Sequence, residues 1–496
     1  MFTRLALALL LFAGCSFAHA QLPQPLAQVL QQNGIGQHEV GVLVLQGDAT
    51  LLAHQATLPM QPASTMKLVT TLVGLERLGP VFRGRTELRT TGTIEDGVLR
   101  GNLYLKGGAD ADLSGEHIAD MLRALRYEGV TRVEGDLVLD RELFQPARMD
   151  VGVAPFDEAP EAYYNVIPDA LLVNKNMLQL DMRSTASRLG LRMHPELERV
   201  SVTSEMTLID ADCAKWEAGW KLPETRREPD GRIKVVLRGT FPKNCNRSYS
   251  VNVLDRDDYV GRLLRQVWSD GGGMLSGRTI TGATPLEARL VSAHAARALP
   301  ELVRDINKAS DNGLARTLFL SLGSLHADPI AGSLPLPQDG VSTFARADAA
   351  VRGWMREQRI DDSSFVIDNG SGLSRIERIS AQQMARLLQA GLHSPWAPEF
   401  QSSMPIGAVD GTMRRRLQDS PAAGRARLKT GTLRNVTALA GYVPDANGVP
   451  CVFVAMINSE HSGNGRGRAV LDLLVDWVAR SGGAPAANTL APAANR

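Results

Sequence analysis

Hydrophobic and polar positions repeat at two different periods along this chain, and the switches between them divide it. Near the start, Val40-Gly41-Val42-Leu43-Val44-Leu45 is an apolar run, Gln46-Gly47-Asp48 a turn and Leu51-Leu52-Ala53 a return, which predicts a hairpin over 38–58. After Pro62-Ala63-Ser64, residues Leu68, Leu72 and Leu75 recur at helical spacing with Val69 and Val73 beside them. This predicts a helix beginning at Ser64. From Phe82 the character changes: 86–106 holds two alternating runs around Asp96-Gly97, a hairpin signal, and 133–139 is strand-like. Residues 176–253 are polar, strand-prone and turn-rich, and a helical pattern follows over 259–268. Helical periodicity returns at 299–322, 343–358 and 380–392. The end reads as a β-meander with strands over 427–432, 437–443 and 451–457, then an amphipathic helix over 468–479.

An antiparallel sheet covered by helices from both chain ends is an α+β arrangement. The expected organisation is a main domain formed by 21–81 and 286–481. Between its halves lies a β-rich inserted module over 82–285, read as two nested domains with the inner part near 176–253.

Composition adds constraints. A length of 496 residues favours more than one domain, and 44% hydrophobic with 22% charged residues is ordinary for a globular protein. Lys+Arg 54 against Asp+Glu 53 leaves a net charge of +1, so no electrostatic reason points to nucleic acid as a partner. Met1 to Arg4 carries one cation, Leu5 to Ala13 is apolar, and Ala18-His19-Ala20 is a small-x-small site, the layout of a signal peptide over 1–20 and of an exported protein. A second reading takes Leu11 to Cys15 as a lipoprotein site with Cys15 lipidated, although Phe12 replaces the usual aliphatic residue. No run approaches transmembrane length. The Ala/Pro/Asn-rich tail over 482–496 is expected to be disordered. In an oxidising compartment Cys213 and Cys245 could pair, while Cys451 reads as a core residue of a strand. Neither a C-x-x-C nor an H-E-x-x-H pattern occurs, so no metal or cofactor is expected.

Three short segments carry candidate chemistry. In Ser64-Thr65-Met66-Lys67, a helical turn would place the serine and lysine on one face, and a buried lysine loses its proton easily enough to serve as base for the hydroxyl. Alone, the segment reads equally as an N-cap serine with a surface lysine. Ser310-Asp311-Asn312 could supply Ser310 as a proton relay and Asn312 as a substrate-holding amide; alone it is an ordinary turn. Lys429-Thr430-Gly431-Thr432 lies on a strand. There, Lys429, Thr430 and Thr432 could bind a carboxylate, the glycine allows close approach, and the N–H of Thr432 could face an oxyanion.

Together and in this order, S-x-x-K, S-D-N and K-T-G form the signature of penicillin-binding proteins and serine β-lactamases. The chain resembles the class C low-molecular-mass penicillin-binding proteins, the D-alanyl-D-alanine carboxypeptidase/endopeptidase family. Ser64 lies close to the mature N-terminus, and about 240 residues separate Lys67 from Ser310, room for that family's large insertion. Asp368-Asn369-Gly370-Ser371-Gly372-Leu373-Ser374-Arg375 resembles its D-G-S-G-L-S-R segment with Asn369 extra or displaced, and Asp410-Gly411-Thr412 matches another family segment.

The resemblance implies a transpeptidase/β-lactamase-like core and a periplasmic enzyme acting on peptidoglycan peptides through an acyl-enzyme, with β-lactams as inhibitors. Ser64 would be the nucleophile, Lys67 the base, and Ser310, with Lys429, would assist proton delivery to the leaving group. Asn312, Lys429, Thr430 and Thr432 would hold the substrate, and the N–H groups of Ser64 and Thr432 would form the oxyanion hole. Asp157 or Glu158 would reach a substrate amine, or else be a surface acid. The chain departs from the pattern after S-D-N, where Gly313, Ala315 and Arg316 replace the usual acid. Two rival classes share the motifs. A β-lactamase would need a deacylating base, and no E-x-x-L-N segment is found; a wall-binding module would need neither Ser64 nor Lys67.

Overall fold

In the computed structural model, residues 22–154 and 156–482 are described. The expected signal segment with Cys15, and the tail from 483, lie outside them.

The terminal parts of the chain build one five-stranded antiparallel sheet. Its order is Ala49–His54, Val40–Gln46, Pro450–Asn458, Val436–Pro444, Arg427–Leu433. The three central strands are mostly apolar along their length because both faces are buried, whereas the two edge strands are partly polar and partly exposed. Side chains on a strand alternate between faces. Thus Val452, Val454 and Met456 join a cluster with Leu68 and Leu72 of the helix Lys67–Leu78 and Leu387 of the helix Ala381–His393. Cys451, Phe453 and Ala455 point the other way, against Leu26 and Leu30 of the helix Gln24–Gln32 and Leu471 and Leu474 of the helix Arg466–Arg480. Helices on both faces of an antiparallel sheet give the expected α+β class. The strand Arg427–Leu433 is an edge strand; it pairs only with Val436–Pro444 in the sheet, so a groove can form along its outer side.

Between these parts the chain leaves the sheet and builds a second core. A five-stranded mixed sheet runs Thr279–Thr281, Leu137–Asp140, Leu103–Lys106, Arg85–Thr90, Arg289–Ala295. The last of these strands lies past position 285 and pairs antiparallel with Arg85–Thr90, so the excursion closes near 295. Residues 133–139 do not form one strand. Glu134-Gly135-Asp136 separates Arg132–Val133 from Leu137–Asp140, and the two pieces join different sheets. Gly135 sits there because a Cβ would stand 2.0 Å from the Gly101 carbonyl oxygen.

Inside this excursion lie a three-stranded sheet, Leu189–His194, Leu178–Ser184, Asn246–Val251, and a four-stranded one around Ile233–Pro242. Their buried residues, among them Leu180, Val235 and Phe241, share one apolar cluster with Leu105 and Leu122 of the outer part. Cys213 and Cys245 form a disulfide with Cα atoms 5.4 Å apart. It ties the short helix Cys213–Gly219 to the strand Asn246–Val251, where Trp216, Trp220 and Tyr249 pack edge to face. Among the described residues, no helix is long and apolar enough to cross a membrane.

Closing a loop of this length restricts the unfolded chain, so the bond is expected to contribute about 2–4 kcal/mol. Reduction should lower the urea midpoint of the transition that exposes Trp216 and Trp220, and a Cys213→Ser/Cys245→Ser variant should unfold there with or without reductant. An identical midpoint for oxidised and reduced protein would contradict this.

Candidate active site

The segment Pro62-Ala63-Ser64 enters the helix through a tight turn. Ser64 does not begin the α-helix as expected; it lies in a 3-10 turn, Ala63–Met66, and the helix starts at Lys67. Thr65 closes this turn, its N–H and hydroxyl both donating to the Pro62 carbonyl, at 3.3 and 2.7 Å. The helix that follows is apolar on nearly every side and is buried along its length. Lys67 is therefore fixed at the base of the turn with Nζ 3.0 Å from Ser64 Oγ.

Two glycines press on the turn from outside. Gly372, at φ +80°, lies so close that a Cβ would stand 1.8 Å from the Ala63 carbonyl oxygen. At Gly431 a Cβ would stand 2.6 Å from the Pro62 carbonyl oxygen and 3.1 Å from the Ser64 nitrogen. The glycine of K-T-G thus allows the edge strand to lie directly against the serine.

Lys67 is completely buried, and its other two contacts are neutral acceptors: Asn312 Oδ1 at 2.6 Å and the Ser371 carbonyl at 2.5 Å. Burial without a carboxylate in contact pushes the amine down to about 7, against the opposing pull of Glu377 and Asp311 and with a small push from Arg316. Lys429 is also completely buried. Its Nζ donates to Ser310 Oγ at 2.8 Å and to the Thr430 carbonyl at 2.9 Å. Burial first, then the charge of Lys67, holds its pKa well below the usual range.

The helical stretch expected over 299–322 is broken so that S-D-N can turn. Leu299–Lys308 ends, Ser310 adopts φ +62°, and Asp311 caps the next helix, Asn312–Ser321, by accepting the Leu314 N–H at 2.9 Å. Residues 164–175 support this loop, which has no acidic side chain at 313, 315 or 316. Lys175 pairs with Asp311 at 2.6 Å, the Tyr164 carbonyl accepts from Asn312 Nδ2 at 3.0 Å, and Arg316 reaches back to the Val166 carbonyl at 3.0 Å.

Asp157 lies just before that supporting segment. Its carboxylate already accepts from the Tyr164 hydroxyl at 3.0 Å, Asn165 Nδ2 at 2.9 Å and the Ala159 N–H at 3.0 Å; Glu158 is exposed. On the edge strand, Thr430 is half-buried and its hydroxyl meets that of Thr412 at 2.8 Å, while Thr432 is exposed. Asn369 is not idle: its Oδ1 accepts from the N–H and hydroxyl of Ser371, at 3.0 and 2.6 Å, and so shapes the turn that faces Lys67.

Sequence reasoning passed over Ser371 and Thr412 as individual residues, although both lie in segments it singled out. It missed Lys175, Tyr164 and Glu377 altogether. Nothing local marks them, because their contacts lie far away in the chain or are made by backbone atoms.

A buried lysine stands against a serine hydroxyl, beside an open edge strand on an α+β sheet, an arrangement chemically suited to acyl transfer. The particular family follows from comparison with known proteins. Residues 22–481 match the D-Ala-D-Ala carboxypeptidase 3 (S13) family, and the chain belongs to it. It is a D-Ala-D-Ala peptidase of the serine type. Over 411 residues it is 26% identical to the D-alanyl-D-alanine carboxypeptidase DacB of Haemophilus influenzae, covering 82% of each chain. Over 417 residues it is 26% identical to the D-alanyl-D-alanine carboxypeptidase of Actinomadura sp. strain R39, covering 81% of this chain and 74% of that one. The crystal structure of penicillin-binding protein 4 from Haemophilus influenzae has the same fold, with a TM-score of 0.73 at 23% identity over 91% of this chain and 97% of that one.

The close approach of Gly372 gives a direct test. In Gly372→Ala the added methyl must displace the turn that carries Ser64, and an ångström of misplacement costs on the order of 100-fold in rate. Acylation of Ser64 by a fluorescent penicillin, followed on gels against time, should slow by about that factor. A wild-type rate would contradict the account.

Proposed function

We propose that the chain removes the terminal D-Ala of peptidoglycan stem peptides, and opens cross-links of the same chemistry, through an acyl-enzyme on Ser64. The observation that carries this reading is the completely buried Lys67 Nζ at 3.0 Å from Ser64 Oγ, with only neutral groups as its contacts. A lysine with a pKa near 7 is part neutral at physiological pH and has a lone pair for the hydroxyl proton. The sign follows directly: below pH 7 Lys67 is protonated and cannot accept, so the rate of acylation rises as pH rises through that value.

Lys67 takes the proton as Ser64 Oγ bonds to the carbonyl carbon of the penultimate D-Ala. The N–H groups of Ser64 and Thr432 are assigned to the oxyanion. As the C–N bond breaks, the departing amine takes a proton from the Ser310 hydroxyl, and Lys429 at 2.8 Å restores it. The proton that Lys67 took from Ser64 replaces the one given to the amine, so Lys67 is neutral again; water then attacks the ester, giving up a proton to Lys67, which returns it to Ser64 Oγ as the shortened peptide leaves. When the departing amine is free D-Ala the reaction is a carboxypeptidase step; when it belongs to a neighbouring stem it is an endopeptidase step.

The contacts divide the substrate-binding residues. Lys429 faces the relay serine, so Thr430 and Thr432, with Thr412 beside them, are assigned to the terminal carboxylate. Asn312 holds the peptide amide. Asp157, engaged by its own segment, is assigned to holding Tyr164 in place rather than to a substrate amine. A β-lactam would acylate Ser64 in the same way, but ring opening leaves its amine tethered and in the path of water. The related penicillin-binding protein 4 of Haemophilus influenzae has been solved as a complex with a β-lactam, which supports this. Residues 1–20 are read as an export signal that delivers the enzyme to the periplasm, where its substrate lies and where the Cys213–Cys245 bond is stable.

The test is mass spectrometry of muropeptides incubated with wild-type protein and with Ser64→Ala. Wild type should shift pentapeptides down by one alanine, or convert dimers to monomers, and Ser64→Ala should do neither. An unchanged profile with wild type, or equal conversion by the variant, would sink the reading.

A further inference from the structure

Glu377 is completely buried, and the mechanism above gives it no task. Its Oε1 accepts the backbone N–H groups of Asp368, Asn369 and Gly370, at 3.2, 3.1 and 3.0 Å. Three donors converging on one oxygen favour the carboxylate over the acid. Its Oε2 has no hydrogen-bond partner. A buried charge held by backbone alone is costly, so packing by itself does not explain it.

The turn gathered by Glu377 is the one that meets the catalytic helix. The Gly370 carbonyl accepts from Thr70 Oγ1 at 2.6 Å, and the Ser371 carbonyl accepts from Lys67 Nζ at 2.5 Å. Both Thr70 and Lys67 lie on the first turn of the helix Lys67–Leu78. The charges around Lys67 are Glu377, Asp311 and Arg316, and Glu377 has the largest effect of the three. Asp368 faces Glu377 itself, Arg316 faces Asp368, Arg256 and Glu377, and Lys429 faces Lys67. Burial raises the pKa of Glu377 above the usual range, and the three N–H groups oppose that rise.

We propose that Glu377 is a positioning residue for the Lys67 base: it gathers the 368–370 turn so that the Ser371 carbonyl meets Lys67 Nζ, and it places a carboxyl group beside that turn. This inference rests on the reading of Lys67 as base. It explains why the segment after Ser374-Arg375 carries an acid at 377 that no substrate contact requires.

The experiment measures the rate of Ser64 acylation by a fluorescent penicillin across pH for wild type, Glu377→Gln, Glu377→Asp and Lys67→Ala, with the thermal unfolding midpoint of each. In Glu377→Gln an oxygen acceptor of the same shape remains, but the carboxyl group is gone. Lys67 then loses the attraction that held its proton. The acid limb should move to lower pH by on the order of one unit, and the plateau rate should fall because the base is weaker. Glu377→Asp keeps the carboxyl group and shortens the reach, so the plateau should fall with the limb close to that of wild type. A Gln variant whose limb does not move, whether its rate is normal or reduced in step with its unfolding midpoint, overturns the proposal. Should the Gln variant not fold, the Asp variant decides: a wild-type plateau overturns the proposal, and a lower plateau at an unchanged unfolding midpoint supports it. Failure of the underlying reading is separate, because Lys67→Ala would then acylate at the wild-type rate.

Discussion

An amine removed completely from water, with no carboxylate in contact, governs this structure. Lys67 is held by a hydroxyl, an amide oxygen and a carbonyl. Each of these accepts a hydrogen bond, and none carries the charge that would keep the proton on. Burial therefore wins over the distant carboxylates, and the lysine sits near 7. Because the acceptors come from three separated segments, the site exists only when the turn at Ser64, the S-D-N loop and the 368–372 turn converge. The helix Lys67–Leu78 is buried over most of its length because it lies at the centre of that convergence.

Residues 164–175, far from the motifs in the chain, take part in meeting the constraint. Lys175 on Asp311, the Tyr164 carbonyl on Asn312 and Arg316 on the Val166 carbonyl join them to the S-D-N loop. Asn312 presents its oxygen to Lys67 because its nitrogen is committed to Tyr164. A segment placed far from the motifs thus orients one of the lysine's acceptors. On the opposite side, Gly431 lets the edge strand lie against Ser64, and the buried Lys429 aims at Ser310 instead of at open solvent.

The sequence made the main sheet legible because its strands are short apolar runs bounded by turn residues, and the motifs legible because each is local. Helix limits over 343–358, 380–392 and 468–479 agree with Thr343–Glu357, Ala381–His393 and Arg466–Arg480 to within a few residues. Where periodicity misled, a contact outside the segment was the reason. Ser64 lies in a 3-10 turn pressed by Gly372 and Gly431, the 299–322 pattern breaks to orient Ser310, and 133–139 splits where Gly135 passes the backbone at Gly101. Strands of the inner part such as Val200–Ser204 bury little on either face, so their alternation is weak. Glu377, Lys175 and Tyr164 were not legible, since a buried carboxylate on backbone N–H groups and a cross-module ion pair leave no local spacing to read.

The central claim is that the fold keeps Lys67 close to neutral. Its most direct test is a titration of the folded protein with ¹³C-labelled lysine side chains, observing the ε-carbon by NMR and assigning the Lys67 signal by its loss in Lys67→Ala. The account predicts a midpoint near 7, against 10.5 for an ordinary lysine. A Lys67 midpoint near the ordinary value would mean a lysine charged at neutral pH, and would contradict both the geometry of the base and the mechanism built on it.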